Sequence, residues 1–461
     1  MPGPDGGPVI DLAARRTIHI VGVGGAGMSA IATVLAAMGH RVSGSDLKDS
    51  PGLDRLRAQG VDVWVGHAAS HLGAVDAVAI STAIPERNPE VAAARERGIP
   101  VLRRAEVLAA ICATRRTVAV AGTHGKTTTS SMLALVLVDA GLRPSFIIGG
   151  EVNEIGTGAA WDQGEWFVVE ADESDGTFLE LGAEAVVVNN VEPDHLEHWG
   201  GFDQLVDAFS RFLAAAPGPR VVSADDPIAA RLGRELGAVS VGTAADADYR
   251  IIDVGRSRTG IGFGVFHRGE MLGSIALPVP GVHNARNAAA ALVTGLLLGA
   301  SFEAGQRALG RYAGVARRYE FRGEAGGVTF VDSYDHLPTE VAAALGAAGD
   351  GGWRRIVCVF QPHRFSRTAT LWPTFADAFE GADLLVVTDV YAAGEAPRPG
   401  ITGKLIVDAV LDAHPWHRVA YLPRRAELVR YLQSELRPGD LCLTLGAGDL
   451  TSVPDDVKAA L

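Results

Sequence analysis

The segment from Gly122 to Thr129 has the residue types and the context of a phosphate-binding loop. It reads GTHGKTTT, follows the β-branched run TVAVA and begins an apolar helix, as such loops do. Lys126 can reach the β and γ phosphates of a nucleotide, and the Thr127 hydroxyl can bind Mg²⁺. The strict pattern GxxxxGK[ST] is not met, because this chain has Val120 where the pattern has its first glycine. We still predict an ATP site made of Gly122, Thr123, His124, Gly125, Lys126, Thr127 and Thr128.

Polar residues also follow two later strand-like runs. Glu170 comes directly after WFVV, and His195 ends the motif EPDH after AVVVNN. Since the carboxyl ends of parallel strands converge on one crevice, we expect both residues to reach the phosphate loop and a Mg²⁺–nucleotide complex. The spacing of His195 alone fits a helix cap equally well. The neighbouring acidic residues can be metal ligands, caps or solvated loop charges, and they are Asp172, Glu173 and Asp175.

A histidine and two amides precede the apolar run AAAALV. His283, Asn284 and Asn287 stand at the start of this helical segment, and the two amides are one turn apart. Such groups can form hydrogen bonds with the edge of an adenine ring. Helix capping by asparagine explains the pattern equally well.

A second glycine loop lies near the N-terminus. Gly22, Gly24 and Gly27 form GxGxxG after a strand-like run and before a helix, and Asp46 follows about 20 residues later. The glycines let the backbone approach a diphosphate, and the carboxylate can accept ribose hydroxyls. The same physics serves NAD and a UDP-sugar, so this loop alone does not distinguish them.

Composition limits the class of protein. The chain has 461 residues, 48% of them hydrophobic, and a net charge of -13, which indicates a globular protein of about three domains. An acidic chain without a long Lys/Arg block is not expected to bind nucleic acid. The three cysteines lack CxxC spacing, and we identify neither a signal peptide nor a membrane span, so we expect a cytoplasmic protein.

Alternating strand and helix patterns recur in three stretches of the chain. They predict an α/β protein with three parallel sheets, the central one carrying an antiparallel extension that begins near Tyr249. We expect a flexible tail over residues 1–16, a Rossmann-like domain over 17–112, a P-loop domain over 113–314 and a second Rossmann-like domain over 315–461.

Five motifs together resemble the ATP-dependent Mur ligases of peptidoglycan precursor synthesis. They occur in the order of that family and span nearly the whole chain: AGTHGKTTTS, EADESDGTFLELGAEAVVVNNVEPDH, GVHNARNAAAA, GVARRYEF and VFQPHRFSRT. Within the family, they are most similar to the members that add L-alanine to UDP-N-acetylmuramate. A sister group that adds a preformed tripeptide shares most motifs, but it usually has tyrosine where this chain has Ser174.

The resemblance implies a role for each motif. ATP would phosphorylate the lactyl carboxylate of UDP-N-acetylmuramate, and L-alanine would attack the acyl phosphate. The implied Mg²⁺ ligands are Thr127, Glu170 and His195, and the implied nucleotide contacts include His283, Asn284, Asn287 and Arg317. The implied UDP-sugar contacts are Gly22, Gly24, Gly25, Gly27, Asp46, Ser81, Thr82 and Arg367. Lys126, Glu170, His195 and Arg364 would be catalytic, and Tyr334, His336, His363 and Arg364 would serve the acceptor or domain closure.

Three cationic side chains are predicted in the third domain to meet the anionic ligands, and they are His363, Arg364 and Arg367. One motif of that domain departs from the family. Members commonly have two adjacent histidines before a proline, whereas this chain has His336 followed by Leu337, with Asp335 before them. We hypothesise that these two departures reduce affinity or rate.

Other readings of the motifs stay open. An NAD-dependent oxidoreductase could use the N-terminal glycine loop, with the Lys126 loop binding a regulatory nucleotide. A non-catalytic nucleotide sensor of the same fold is also compatible with the changed histidine pair. For the ligase reading we expect no membrane insertion and a monomer or homodimer.

Overall fold

The structure is a computed structural model that describes residues 10–459, apart from the side chain of Glu197. Residues 1–9 of the predicted flexible tail therefore lie outside the described residues. Residues 10–16 contain no helix or strand, although Leu12 is buried. The described chain forms three sheets, one in each of the three α/β stretches that the sequence predicts. The exact domain boundaries stay predictions.

The first sheet is parallel throughout and has the strand order β3-β2-β1-β4-β5. This is the order of the first five strands of a Rossmann fold. Its strands are β1 (Thr17–Val21), β2 (Arg41–Asp46), β3 (Asp62–Val65), β4 (Ala77–Ile80) and β5 (Val101–Arg103). Its helices are α1 (Ala26–Ala37), α2 (Pro51–Ala58), α3 (Pro89–Glu96) and α4 (Arg104–Cys112).

The second sheet has ten strands in the order β15-β14-β13-β12-β11-β10-β6-β9-β7-β8. Its strands are β6 (Arg116–Ala121), β7 (Ser145–Val152), β8 (Thr157–Ala160), β9 (Trp166–Glu170), β10 (Ala185–Val188), β11 (Arg220–Ser223), β12 (Val239–Gly242), β13 (Tyr249–Ser257), β14 (Gly260–His267) and β15 (Glu270–Leu277). Short loops join the last three strands, as in the predicted antiparallel extension. Its helices are α5 (Lys126–Asp139), α6 (Leu196–Trp199), α7 (Phe202–Ala215), α8 (Pro227–Leu236), α9 (Val282–Leu297) and α10 (Phe302–Gly310).

The third sheet has the order β16-β17-β21-β18-β19-β20, and only the β16–β17 pair is antiparallel. Its strands are β16 (Glu320–Ala325), β17 (Val328–Ser333), β18 (Arg355–Phe360), β19 (Leu384–Val387), β20 (Val419–Tyr421) and β21 (Asp440–Leu445). Its helices are α11 (Pro338–Gly349), α12 (Phe365–Leu371), α13 (Lys404–Ala413), α14 (Arg425–Glu435) and α15 (Val453–Lys458).

The chain divides into two compact units. The first contains the chain up to Ile252, Gly264–Ser274 and Arg286–Leu309, and the second contains Asp253–Phe263, Ile275–Ala285 and the chain from Gly310. Strands β6, β9 and β10 are almost completely buried in the first unit, as expected for parallel strands covered by helices on both faces. None of the described helices combines the length and the apolar character needed to cross a membrane.

Gly44 allows β1 and β2 to meet closely beneath the N-terminal glycine loop. A Cβ atom at this position would lie 2.7 Å from the carbonyl oxygen of Ile20 and 2.7 Å from Cβ of Val23. We expect Gly44→Ala to lower the free energy of unfolding by about 1–3 kcal/mol, because an extra methyl group in a filled core strains its neighbours. Thermal and urea unfolding measure the change.

Gly73→Ala is the matched control, because a Cβ atom at Gly73 would have nothing within 4 Å. It should leave stability unchanged or slightly raised. Equal stability of Gly44→Ala and the wild type would contradict the close packing described for β1 and β2.

Candidate active site

The phosphate loop connects β6 to α5 through two glycines in left-handed or related conformations. Gly122 has φ 134° and Gly125 has φ 78°. A Cβ atom at Gly122 would lie 3.1 Å from the backbone nitrogens of Asn189 and Asn190, and one at Gly125 would lie 2.5 Å from Asn287 Oδ1. Both positions therefore need glycine for backbone conformation and for space.

Residues after β10 hold this loop in shape, and sequence reasoning missed them. Asn190 Oδ1 accepts a hydrogen bond from the His124 backbone N–H at 2.7 Å. The Glu192 N–H donates to Thr123 Oγ1 at 2.9 Å, and Glu192 Oε2 lies 3.2 Å from His124 Nε2. The signal in the sequence was the pair of asparagines directly after AVVV, because β10 pairs with β6 in the sheet.

Lys126 lies at the centre of the loop, enclosed by oxygen atoms. Its Nζ donates to the Gly122 carbonyl at 2.6 Å and to the Glu173 carboxylate at 2.8 and 3.1 Å. Burial alone would lower the pKa of Lys126, but the negative charges of Glu173, Asp172 and Glu170 raise it above its usual value. The lysine is therefore a fixed cation at the start of α5.

Glu173 is neither a helix cap nor a solvated charge. Its side chain is only 1% exposed, and its carboxylate binds Lys126. Asp172, the residue before it, would have a raised pKa from burial alone, but the charge of Lys126 and the N–H of Ser174 lower that pKa. Asp172 thus keeps its negative charge next to the loop lysine.

Glu170 is placed beside the phosphate loop by the register of β9 against β6, in which it stands opposite Val120. Its Oε1 accepts a hydrogen bond from the Gly149 N–H at 2.7 Å. The Thr127 side chain is in the first turn of α5 and is 7% exposed. The structure therefore brings Lys126, Thr127 and Glu170 to neighbouring strand ends.

His195 stands at the start of α6, with a left-handed backbone at φ 52°. Its Nε2 lies 3.3 Å from Oδ2 of Asp194, the preceding residue. The helix-start position agrees with the capping alternative, although the side chain accepts no cap hydrogen bond. A role for His195 as a metal ligand stays a prediction.

The residues of α9 divide between two environments. Asn287 faces the phosphate loop at Gly125. Asn284 Nδ2 donates to the Pro280 carbonyl at 2.7 Å, which is a local bond of the capping type, and the His283 ring packs over Gly281. Within the first unit, Asn287 thus lies against the phosphate loop, as predicted for a nucleotide contact.

The N-terminal glycine loop is built in a similar way between β1 and α1. The Ser45 carbonyl accepts hydrogen bonds from the N–H groups of Gly22 at 2.8 Å and Val23 at 3.0 Å. Asp46 Oδ2 accepts from the Gly24 N–H at 2.9 Å, and Gly25 begins α1 as its N-cap. One oxygen of the predicted ribose-binding carboxylate thus stabilises the loop itself.

Ser81 and Thr82 directly follow β4, whose last residue pairs with the last residue of β1. They therefore lie at the same sheet edge as Gly22. This placement agrees with the prediction that both residues contact the UDP-sugar. Their role stays a prediction.

A cavity of about 510 Å³ in the first unit lies between the start of α1 and the ends of β7 and β9. Its lining includes Gly27 at the start of α1, together with Gly149, Glu170 and Asp172. Arg104 also lines it, with Nη2 3.6 Å from Asp175 Oδ2. Arg104 is a cation that sequence reasoning missed, because nothing in its surrounding sequence marks it. A helix N-terminus suited to a diphosphate and a carboxylate suited to a metal thus face one cavity.

The second unit collects the predicted acceptor residues in one cluster of rings. The His336 ring lies 5.6 Å from that of Tyr334 and 5.5 Å from that of His363. His363 also stacks on Tyr391 at 5.9 Å, a residue that sequence reasoning missed. The Arg364 N–H donates to the Tyr391 carbonyl, and its buried Nε has no hydrogen-bond partner among the described residues.

The prediction that His363 is a cation is wrong in this structure. Burial, followed by the nearby His336, Arg367 and Arg364, lowers the pKa of His363 to about 3. The ring is neutral near pH 7, and its Nδ1 can accept the hydrogen bond from Arg367 Nη1 at 3.0 Å. His363 therefore orients an arginine and adds no charge of its own.

Two further residues that the sequence singles out, Arg317 and Leu337, lie in this unit. Arg317 Nη2 donates to the carbonyls of Gly446 and Gly448, and its guanidinium lies 5.0 Å from the Tyr334 ring. Leu337, which replaces a histidine of the family motif, is 5% exposed. A donor at that position would be buried.

Comparison with known proteins agrees with this arrangement. The UDP-N-acetylmuramate–L-alanine ligase of Pelotomaculum thermopropionicum is 44% identical over 443 residues, which cover 95% of this chain and 96% of that protein. The ligase of the same name from Anaeromyxobacter dehalogenans is 45% identical over 452 residues, with 97% and 98% coverage. The crystal structure of the UDP-N-acetylmuramate–alanine ligase of Thermotoga maritima superposes with a TM-score of 0.81 at 28% identity, covering 96% of this chain and 98% of that one.

Three family models match consecutive parts of the chain. They are described as the Mur ligase family catalytic domain over residues 17–116, the Mur ligase middle domain over 120–295 and the Mur ligase glutamate ligase domain over 317–448. The first two matches contain the two glycine loops, and the third contains the ring cluster of the second unit. The chain belongs to the Mur ligase family.

Proposed function

We propose that the chain is an ATP-dependent ligase that joins L-alanine to the lactyl carboxylate of UDP-N-acetylmuramate, giving ADP and phosphate, in peptidoglycan precursor synthesis. The observation that carries this proposal is the cavity that the start of α1 shares with Glu170. It offers a place for a sugar diphosphate beside Glu170, which ends β9, the strand that pairs with β6 of the phosphate loop. The alanine-adding relatives, similar over nearly their whole length, support the choice of acceptor.

The reaction has two steps. A carboxylate is a poor electrophile, so an oxygen of the lactyl carboxylate first attacks the γ-phosphorus of ATP, and the bond to ADP breaks. The amine of L-alanine then attacks the acyl carbon, loses a proton, and phosphate leaves with the oxygen that bridged carbon and phosphorus. Lys126, fixed by Glu173 and Gly122, stabilises the charge that develops on the γ-phosphoryl group.

The donors at the strand ends fit Mg²⁺, which prefers oxygen ligands. Thr127 offers a hydroxyl and Glu170 a carboxylate beside the phosphate loop, and we assign them to one ion. His195 is assigned to a second ion. When bound, Mg²⁺ neutralises charge on the phosphate oxygens.

The acceptor is assigned to the ring cluster of the second unit. A guanidinium can bind a carboxylate through two parallel hydrogen bonds. Arg364 and Arg367 flank His363 in this cluster, and neutral His363 orients the second of them. We assign one of them to the carboxylate of L-alanine and the other to substrate phosphates.

The first prediction concerns substrate dependence. We expect ADP release, followed by a coupled assay, to require ATP, UDP-N-acetylmuramate and L-alanine together, because the acyl phosphate forms only on the sugar nucleotide and turns over only with an amine. Glycine, L-serine and a meso-diaminopimelate-containing tripeptide serve as competing acceptors. Turnover with the tripeptide and not with L-alanine would identify the sister activity, and reduction of NAD instead of ADP release would contradict the ligase.

The second prediction concerns Lys126. We expect Lys126→Ala to lower kcat by roughly 10²–10³-fold, since a fixed charge at the transition state is lost. Because this change leaves Glu173 buried without its cation, the double variant Lys126→Ala/Glu173→Gln separates folding from catalysis. It should regain thermal stability and stay inactive.

Lys404→Ala is the control, because Lys404 is exposed on α13 and pairs with Asp408. Its kcat should equal that of the wild type. A Lys126→Ala variant with wild-type kcat would remove Lys126 from the mechanism.

The third prediction concerns the metal. We expect Glu170→Gln to raise the Mg²⁺ concentration for half-maximal rate by at least about tenfold, because even changes in the outer ligand shell of a metal cost 10–100-fold. Glu165→Gln, at the exposed end of the β8–β9 connection, is the matched control. The same Mg²⁺ dependence in both variants would show that Glu170 is not a ligand.

A further inference from the structure

Glu90 is a completely buried carboxylate in the first turn of α3. It accepts hydrogen bonds from Ser45 Oγ at 2.5 Å and from the Ala68 N–H at 3.2 Å. His71 Nδ1 lies 2.8 Å from Oε1, and His67 Nδ1 lies 3.2 Å from Oε2. Four polar groups from two segments of the chain, Ser45 on β2 and residues 67–71, thus converge on one side chain.

Among the described ion pairs, the partners of Glu90 are all histidines. His19 Nε2 lies 3.7 Å from Oε2, while His19 Nδ1 lies 2.9 Å from Ser43 Oγ. Burial alone would raise the pKa of Glu90, but the nearby His19 ring and the hydrogen bonds from Ser45 and His71 lower it to about 2. The carboxylate is therefore ionised near pH 7, and its hydrogen bonds are of the stronger, charge-assisted kind.

Ser45 connects this carboxylate to the N-terminal glycine loop. Its side chain is fully buried and binds Glu90, and its carbonyl accepts the N–H groups of Gly22 and Val23. The next residue, Asp46, accepts the N–H of Gly24. The glycines have no side chains that could hold the loop, so its shape depends on these bonds from β2.

We propose that Glu90 is a positioning residue for sugar-nucleotide binding, which holds Ser45 so that the glycine loop keeps the N-terminus of α1 aimed at the diphosphate. The identity of that diphosphate as UDP rests on the proposed function. The carboxylate lies on α3 and acts through Ser45.

An apolar side chain at position 90 would fill the same space. It would remove the acceptor of Ser45 Oγ and His71, and leaving these polar groups without it destabilises the site more than the added apolar packing stabilises it. Ser45 Oγ would keep only its contact with His67 Nδ1, at 2.8 Å, and the end of β2 that holds the loop would lose its bond to the carboxylate. The expected loss is in ligand affinity and leaves the phosphate loop of β6 and α5 unaffected.

The test compares Glu90→Gln and Ser45→Ala with the wild-type protein. Calorimetric titration with UDP and with UDP-N-acetylmuramate gives Kd, and steady-state kinetics give KM for each substrate. We expect Kd and KM for the sugar nucleotide to rise about tenfold in both variants, as for the loss of one charge-assisted hydrogen bond. The KM for ATP, and kcat at saturating sugar nucleotide, should stay at wild-type values.

Two controls are matched to these variants. Ser43→Ala removes another hydroxyl of β2, which contacts His19 and not Glu90. Glu86→Gln removes an exposed carboxylate that pairs with Arg95. Both should bind UDP like the wild type. If Glu90→Gln does not fold, Ser45→Ala decides the question, because it keeps the carboxylate and its histidines.

Wild-type affinity for UDP in both Glu90→Gln and Ser45→Ala would overturn the inference, as would an equal rise in KM for ATP, which indicates general loosening. If the wild-type protein binds neither UDP nor UDP-N-acetylmuramate, the proposed function fails and the inference with it. Binding by the wild type without loss in the variants overturns the inference alone.

Discussion

The ammonium group of Lys126 is the charge around which the phosphate loop is arranged. It is held by the carbonyl of Gly122 and the carboxylate of Glu173, and those contacts fix where a phosphate can meet it. A chain with a net charge of -13 cannot attract polyanions through its overall field, so binding depends on a few such local cations. ATP must compete with Glu173 for this ammonium, which makes the carboxylate part of the binding equilibrium.

The same physical solution to anion binding appears at two strand ends. β1 leads through Gly22–Gly25 into α1, and β6 leads through Gly122–Gly125 into α5. In each case glycines allow the backbone to turn, and a residue on a neighbouring strand or loop holds the turn in place: Ser45 for the first and Asn190 for the second. Helix N-termini then present N–H groups where a phosphate can bind.

Motifs that are continuous in the sequence were predictable, and groups assembled from distant segments were not. Hydrophobic patterning predicts the strands and the helix start next to four of these residues, which are Gly22, Gly125, Lys126 and Glu170. Asn190 and Arg104 were missed because their relevance comes from pairing with segments far away in the chain. The charge of His363 was mispredicted because burial between two arginines and another histidine cannot be read from its spacing. The three sheets followed from the alternation of strands and helices.

The central claim is that the protein activates a carboxylate by phosphorylation before the amine attacks. The most direct measurement uses UDP-N-acetylmuramate labelled with ¹⁸O in its lactyl carboxylate, with ATP and L-alanine in unlabelled water, and mass analysis of the phosphate released. Each phosphate should carry one ¹⁸O atom, because the oxygen that bridged carbon and phosphorus leaves with the phosphate. Phosphate without label, formed together with the alanyl product, would contradict the central claim.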